Sequence, residues 1–164
     1  MRAILLAGGK GTRLKPYTTL IPKPLVPLGG EMAILEVVIK QLKKYGFTHI
    51  TLAINHLANL IRAYIGDGSK WDMHIDYSLE EEPLGTIGPI TLIQDLPENF
   101  LVMNGDILSD LDYRQFLLDH VERKSLVSVS TCNRESKIDF GVIKHDADGY
   151  LTEFQEKPVF SFDV

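Results

Sequence analysis

Short apolar runs alternate along this chain with runs that have helical spacing. Arg2–Leu6, His49–Asn55 and Phe100–Met103 are each short, apolar and bounded by turn-forming residues, which predicts buried strands. Ile34–Tyr45 repeats apolar residues at helical spacing and is followed by Gly46, which predicts an amphipathic helix with a defined end. Strands that alternate with helices are typical of an α/β layer structure with a mostly parallel sheet.

Further elements extend the same pattern toward the C-terminus. The remaining predicted helices are Leu57–Ile65, Thr86–Gln94 and a segment from Asp112 to about Lys124, and the remaining predicted strands are Met73–Ser78, Leu126–Thr131, Phe140–Lys144 and Leu151–Phe154. The last two strands flank an Asp-Gly turn, which predicts an antiparallel pair. We therefore expect a Rossmann-like, mostly parallel sheet flanked by helices, with an antiparallel addition near the C-terminus, all in one domain spanning residues 1–164.

The distribution of charge indicates a site for a compact polyanion. The formal net charge is −5, which argues against a general nucleic-acid binder. Residues 1–30 nevertheless contain five basic residues and no acidic residue. A local positive field in an acidic chain attracts groups such as a triphosphate, although a solvated basic loop would leave the same pattern.

Cysteine content and hydropathy bear on the compartment. Cys132 is the single cysteine, so a disulfide framework within one chain is excluded and a reducing compartment is favoured. The N-terminal apolar run leads directly into glycines and does not resemble a signal peptide, and no apolar run approaches the roughly 20 residues that span a bilayer. We expect a cytoplasmic chain without a membrane partner. Assembly into a homo-oligomer is left open.

A glycine-rich segment, Ala7–Leu14, follows the first predicted strand. Glycines allow positive φ angles and bring backbone N–H groups close to a ligand, and successive N–H groups form an anion-binding concavity. The P-loop pattern is absent, and the dinucleotide pattern would need a third glycine where Leu14 stands. A phosphate-binding turn and a generic tight turn both remain open from the glycines alone.

The segment from Leu6 to Thr18 resembles the signature of the sugar-1-phosphate nucleotidyltransferase family, and Pro22–Pro27 is similar to the second motif of that family. Each segment carries a cation. Arg13 can form paired hydrogen bonds with phosphate oxygens, and Lys23, held between prolines, can bring a compact charge to the same group.

Two more segments resemble motifs of this family in the expected order. Glu80–Gly88 is similar to the segment that recognises the base, although we expect Glu80 itself to belong to a solvated loop. Val102–Asp106 ends a predicted strand with a carboxylate. Asp106 could hold Mg²⁺, a cation that prefers oxygen ligands, whereas Asn-Gly-Asp at a strand end is otherwise a turn signal.

The C-terminal segments resemble the sugar-binding motifs of the family. Gly141 lies in an aromatic-Gly-Val segment, and Glu156 and Lys157 lie in a Glu-Lys-Pro segment. Relatives continue beyond this point with a second aspartate that completes the magnesium site, so the resemblance implies the N-terminal portion of a longer enzyme. We expect the 164-residue chain to be less active than a longer form.

The resemblance implies transfer of a nucleotidyl group from a nucleoside triphosphate to a sugar 1-phosphate, with Mg²⁺ as cofactor. The implied catalytic residues are Arg13, Lys23, Asp106 and Lys157, with Asp106 as metal ligand. The implied nucleotide-binding residues are Leu6, Ala7, Gly8, Gly9, Gly11, Thr12, Glu81, Pro83, Leu84, Gly85 and Thr86. The implied sugar-binding residues are Asn104, Gly141 and Glu156.

Two other functions stay open at this point. The chain could be a non-catalytic module that binds nucleotides or sugar nucleotides, or a cytidylyl- or molybdopterin-type nucleotidyltransferase with a similar glycine loop. Retention of all four implied catalytic residues argues against the first, and the Glu-Lys-Pro segment argues against the second. The sequence does not specify the base or the sugar. The five histidines are scattered along it, and we assign none of them a role.

Overall fold

The structure is a computed structural model that describes residues 1–9, 11–82 and 84–164, with Arg13 described by its backbone alone. Its strands are β1 (Arg2–Leu6), β2 (Pro27–Leu28), β3 (Met32–Ala33), β4 (His49–Ile54), β5 (His74–Leu79), β6 (Leu101–Asn104), β7 (Asn133–Lys137), β8 (Val142–His145), β9 (Leu151–Gln155) and β10 (Val159–Asp163). Its α-helices are α1 (Ile34–Lys44), α2 (Ala58–Ile65) and α3 (Tyr113–Glu122). Short 3₁₀ turns lie at Thr12–Leu14, Tyr17–Thr19, Lys23–Leu25, Ser69–Trp71 and Gly88–Leu92.

By its contacts the chain divides into two compact units, Met1–Ser125 and Leu126–Val164. The first unit is built on a parallel sheet of four strands in the order β5-β4-β1-β6. This sheet confirms the expected α/β class. Crossover segments between parallel strands place helices against a sheet, and they explain why strand and helix patterns alternate in the sequence.

The core of the first unit lies where α1 packs on the sheet. Leu35, Val38, Ile39 and Leu42 recur at helical spacing on α1 and are fully buried, as is Ile50 on β4. Burial of each such side chain contributes roughly 1.5–3 kcal/mol relative to exposure. The apolar face of this helix therefore fixes its position against the strands.

The start of α1 is held by a buried carboxylate. Glu36 accepts hydrogen bonds from the amide of Ala33 at 3.1 Å, the hydroxyl of Tyr64 at 3.0 Å and the ammonium of Lys70 at 2.7 Å. Burial alone would raise the pKa of Glu36, but the bonds from Lys70, Ala33 and Tyr64 outweigh it and lower that pKa. The charged form is thus stabilised in place, which anchors the helix N-terminus.

The second unit consists of antiparallel pairs. β7 pairs with β10 and β8 pairs with β9, the latter around a turn in which Gly149 has φ of 87°. The antiparallel addition near the C-terminus is therefore confirmed. The expectation of one domain over residues 1–164 stays a prediction.

Two predicted elements differ from the structure. The sequence predicts a strand over Leu126–Thr131, but the strand begins at Asn133, and Leu126 is 99% exposed. Alternating apolar residues express only a local preference, and this strand is instead located by its pairing with β10. The predicted helix Thr86–Gln94 is reduced to the 3₁₀ turn Gly88–Leu92. No helix among the described residues is long and apolar enough to cross a membrane.

Candidate functional site

The strand order of the parallel sheet singles out one place for a ligand. From β1 the chain adds β4 and β5 on one side and β6 on the other. Open α/β sheets bind ligands outside the carboxyl ends of their strands, at the point where the strand order reverses. Here that point lies between the ends of β1 and β6, where Ala7 and Gly105 follow the two strands.

A cavity of about 740 Å³ opens at this carboxyl edge of the sheet. It brings together most of the sequence-predicted residues of the first unit: Leu6, Ala7, Gly8, Gly9, Gly11, Thr12, Lys23, Gly85, Thr86, Asn104 and Asp106. Residues far apart in sequence thus meet in one concavity. Their proposed roles stay predictions.

The glycine loop has a conformation that excludes larger residues at one position. Gly11 has φ of +59°, and its carbonyl accepts a hydrogen bond from the buried hydroxyl of Thr18 at 2.7 Å. A Cβ atom at Gly11 would lie 2.8 Å from Cγ2 of Thr18 and 3.2 Å from Cβ of Lys23. The loop therefore packs directly against the segments that contain Thr18 and Lys23. This contact helps to place Lys23 at the cavity.

Lys23 and Asp106 form the main charged pair of the cavity. Nζ of Lys23 forms an ion pair with Oδ2 of Asp106, and the two side chains are 39% and 22% exposed. Lys23 begins a 3₁₀ turn in which the amide of Leu25 bonds the carbonyl of Pro22 at 2.8 Å. Asp106 follows Gly105, whose amide bonds the carbonyl of Leu6 at 2.9 Å. Both charged side chains are thus carried on backbone that is hydrogen-bonded in place, and both remain open to a ligand.

The expectation that Glu80 belongs to a solvated loop is wrong. Glu80 is buried, its amide bonds the carbonyl of Ile54 at 2.9 Å, and its Oε1 accepts a hydrogen bond from the amide of Leu84 at 2.6 Å. Its Oε2 lies 3.5 Å from Nδ2 of Asn55. A Cβ at Gly8 would meet the same oxygen at 3.2 Å. The carboxylate therefore holds the backbone at Leu84 and lies close to Gly8 of the glycine loop.

The sequence reasoning missed six other residues of the cavity wall. These are Leu14, Pro24, Ala53, Asn55, Glu80 and Pro89. A usable signal existed for two of them. Asn55 directly follows β4 and Glu80 directly follows β5, so both stand at the carboxyl edge where ligands bind.

Several predicted nucleotide-binding residues are not part of the described cavity wall. Glu81 and Leu84 are exposed and do not line it, although Leu84 contributes its amide to Glu80. Pro83 and the side chain of Arg13 lie outside the described residues. The predictions for those two positions therefore rest on the sequence alone.

The predicted sugar-binding residues Gly141 and Glu156 and the predicted catalytic residue Lys157 lie in the second unit. A Cβ at Gly141 would lie 2.8 Å from the ring of Phe154 and 3.3 Å from Oε2 of Glu156, so within this unit these residues are neighbours. Glu156 and Lys157 are exposed, and Lys157 has φ of 46°, which is uncommon for a residue with a side chain. This unit therefore brings Gly141 and Glu156 close together, and their sugar-binding role stays a prediction.

Known proteins are similar to this chain over nearly its whole length. The family model described as nucleotidyl transferase matches residues 2–161. The chain is 34% identical to a UTP–glucose-1-phosphate uridylyltransferase of Synechocystis sp. and covers 44% of it, with 96% of the chain aligned. It is 35% identical to the mannose-1-phosphate guanylyltransferase catalytic subunit beta of Danio rerio, covering 45% of it with 96% of the chain.

A solved structure is also similar to this chain in its fold. HddC from Yersinia pseudotuberculosis, complexed with GMP-PN, superposes with a TM-score of 0.65 at 26% identity, over 99% of this chain and 72% of HddC. The chain spans less than half the length of the two curated relatives.

Proposed function

Because this chain belongs to the nucleotidyl transferase family, we propose that its cavity serves the joining of a nucleoside triphosphate to a sugar 1-phosphate, with release of pyrophosphate. The observation that carries this proposal is the convergence of the glycine loop, Lys23 and Asp106 on one cavity at the reversal of strand order. The relatives named as uridylyl- and guanylyltransferases of sugar 1-phosphates support the same reaction class.

In the proposed reaction, an oxygen of the sugar phosphate attacks the α-phosphorus in line with the leaving group. The new bond joins that oxygen to the α-phosphorus, and the bond from the α-phosphorus to the bridging oxygen of pyrophosphate breaks. No general base is required, because the nucleophile is already an anion. Such transfers depend on positioning and on neutralising charge, since two polyanions must approach each other.

The chain's own cations would offset this repulsion. The amides of the glycine loop and Arg13 would bind the departing pyrophosphate, because backbone N–H groups and a guanidinium both donate to phosphate oxygens. Lys23 stands at the cavity and would neutralise charge around the α-phosphate. Lys157 would orient the attacking phosphate. Asn104, Gly141 and Glu156 would contact the sugar.

The cavity also fits a hard divalent cation, for which we propose Mg²⁺. Asp106 provides a partly exposed carboxylate directly at the cavity, and carboxylate oxygens are the ligands that Mg²⁺ takes together with phosphate oxygens. The cation would supply charge neutralisation between the phosphates. Lys23, which now pairs with Asp106, would then be free to contact phosphate.

Gly85 and Thr86 lie at the cavity wall on the segment tied down by Glu80, and we propose that they border the base. The base and the sugar both stay open, since the two curated relatives differ in both. Nucleoside triphosphates and sugar phosphates are the proposed partners, with no nucleic acid and no membrane. Cytoplasm is the proposed location.

The test is pyrophosphate release with Mg²⁺ across a matrix of nucleoside triphosphates and sugar 1-phosphates. We expect release that depends on one pairing and is lost in Asp106→Asn. Asp110→Asn is the matched control, because Asp110 is an exposed carboxylate four residues further on that does not line the cavity. Release that is equal in Asp106→Asn and the control would overturn the proposal. Triphosphate binding without release from any pairing would favour a binding module.

A further inference from the structure

A second polar cluster lies at the amino edge of the same sheet. His49 and His74 begin β4 and β5 and stand side by side in the parallel register. Asp76 is two residues beyond His74 and therefore points to the same face of the strand. The sequence alone does not predict that these histidines are neighbours, because only the register of β4 and β5 brings them together.

The three side chains converge on one point. Nε2 of His49 lies 2.8 Å from Oδ2 of Asp76, Nε2 of His74 lies 3.9 Å from the same oxygen, and the ring centroids are 4.5 Å apart. One ligand atom from each residue falls within 4.8 Å of the other two. Two imidazole nitrogens and a carboxylate oxygen thus lie close enough together to bind one ion.

These separations suit a transition metal ion. Zn²⁺ binds imidazole nitrogen and carboxylate oxygen at about 2.0–2.2 Å, so two ligands of a tetrahedral site lie about 3.3 Å apart. The two nitrogen–oxygen separations, 2.8 and 3.9 Å, fall on either side of that value, and the shorter one is a hydrogen bond between His49 and Asp76. His74 is 65% exposed in its side chain, so it can close the longer separation without disturbing the core.

A metal ion could bind Asp76 while Arg2 keeps its hydrogen bonds to Thr51 and Asp95. Its guanidinium bonds Thr51 Oγ1 at 2.7 and 3.0 Å and the carbonyl of Asp95 at 2.9 Å, whereas its contact with Oδ2 of Asp76 is longer, at 3.4 Å. Asp95 also faces Arg2 with its carboxylate at 3.1 Å, which offsets the positive charge. The other carboxylate oxygen of Asp76, Oδ1, is buried with no hydrogen-bond partner within the described ranges. Asp76 therefore has acceptor capacity that its protein neighbours leave unused.

We propose that His49, His74 and Asp76 form a binding site for a borderline divalent transition metal ion such as Zn²⁺. Two neutral imidazoles and one carboxylate are a ligand set of Zn²⁺, Co²⁺ and related ions, whereas Mg²⁺ prefers oxygen ligands alone. The strands run about five residues from here to the cavity, about 17 Å, so this site is separate from the proposed Mg²⁺ site. A metal here links β4 to β5 and stabilises the folded chain by mass action.

The experiment uses the full 164-residue chain, stripped of metal and kept in a large excess of Mg²⁺ so that oxygen-only sites are filled. Co²⁺ is titrated and its visible absorption recorded, and Zn²⁺ is then added in competition. We expect one equivalent of Co²⁺ with the absorption of nitrogen ligands, displaced by Zn²⁺, and a rise in melting temperature with either ion.

His74→Ala should weaken Co²⁺ binding by roughly tenfold or more, because loss of a direct ligand costs at least as much as loss of an outer-shell partner. Because His74 is mostly exposed, this variant should fold like the parent, which its metal-free melting temperature checks. His145→Ala is the control, since His145 is an exposed histidine in the second unit, outside the cluster, and its affinity should equal that of the parent. Absence of Co²⁺ binding, or equal binding by His74→Ala and the parent, would overturn the proposal and leave a hydrogen-bonded cluster only.

Discussion

At the carboxyl edge of the parallel sheet, Lys23 and Asp106 form an ion pair that stays partly open to the cavity, at 39% and 22% exposure. At the amino edge, Arg2 is 7% exposed in its side chain and is surrounded by acceptors from Thr51, Asp76 and Asp95. The cation of the carboxyl edge is therefore partly exposed, whereas that of the amino edge is buried.

Side-chain size explains the difference. The carboxyl edge continues into glycine-containing turns such as Gly8-Gly9, which leave backbone groups exposed and space unfilled. The amino edge instead carries polar side chains, and the buried guanidinium of Arg2 there donates hydrogen bonds to Thr51 and Asp95. A charge that is held but not saturated can change partners when a ligand arrives, whereas a saturated and buried charge mainly supports the fold. We therefore expect mutations at the carboxyl edge to reduce turnover and mutations at the amino edge to reduce stability.

The largest expected effect is on turnover, at Lys23. Replacing Lys23 by Met keeps most of the aliphatic stem but removes the cation that we propose contacts the phosphates, so kcat for pyrophosphate release should fall by about 100-fold or more. Steady-state kinetics with the productive substrate pair measures this. Lys40→Met is the control, because Lys40 is an exposed lysine on α1 away from the cavity wall. If the Lys23→Met enzyme kept the kcat of the control, Lys23 would not be needed for turnover.

The next effect is on stability, at Arg2. Arg2→Met leaves Thr51 and Asp76 without their buried donor, which should lower the free energy of unfolding by about 2 kcal/mol. The kcat of the folded fraction should not change. Urea unfolding followed by circular dichroism gives the first quantity. Arg62→Met, at an exposed arginine, should cost less than about 0.5 kcal/mol. If Arg2→Met instead lowered kcat at unchanged stability, the proposed division between the edges would be wrong.

A smaller effect on stability is expected at Gly11. Gly11→Ala forces a side chain into a left-handed conformation and against buried Thr18, which should cost about 1–2 kcal/mol. Gly9→Ala is a matched comparison for stability alone, since a Cβ there has no described atom within 4 Å. Thermal unfolding of both variants measures the difference. Equal melting temperatures would show that the loop yields and does not constrain Lys23.

The smallest effect is a pH dependence at the amino edge. The hydrogen bond from Arg2 lowers the pKa of Asp95 below its ordinary value of 3.8. Because the folded pKa is the lower one, the Arg2–Asp95 pair contributes its stability above about pH 3.8 and loses it as the pH falls through the folded pKa. The carboxylate is 74% exposed, so the effect is small. Urea unfolding of the parent and Asp95→Asn should differ near neutral pH and converge in acid. A constant difference at all pH values would exclude this ion pair as the cause.

Local patterns in the sequence predicted much of the fold. β1, β4, β6 and α1 lie close to where periodicity placed them, because each buries a continuous apolar run or stripe. The glycine loop and Asp106 were also predicted near strand ends, where a parallel sheet collects its ligand-binding turns. The fold class followed from these elements alone.

The remainder depends on contacts between distant segments. Leu126–Thr131 alternates like a strand, yet the strand forms at Asn133, where β10 supplies a partner. Glu80 resembles a solvated residue in a run of glutamates, and only the position of β5 beside β4 brings it to Asn55. His49 and Asp76 are 27 residues apart and meet through strand register, which a single sequence does not express.

We propose that the cavity at the carboxyl edge is the nucleotide site. A crystal structure of the chain with Mg²⁺ and GTP or UTP tests it most directly. We expect the triphosphate to lie against the backbone of the glycine loop and the cation to bind Asp106. Lys23 should contact a phosphate, and the base should lie beside Gly85 and Thr86. A nucleotide bound elsewhere on the chain, with the Lys23–Asp106 pair intact, would contradict it.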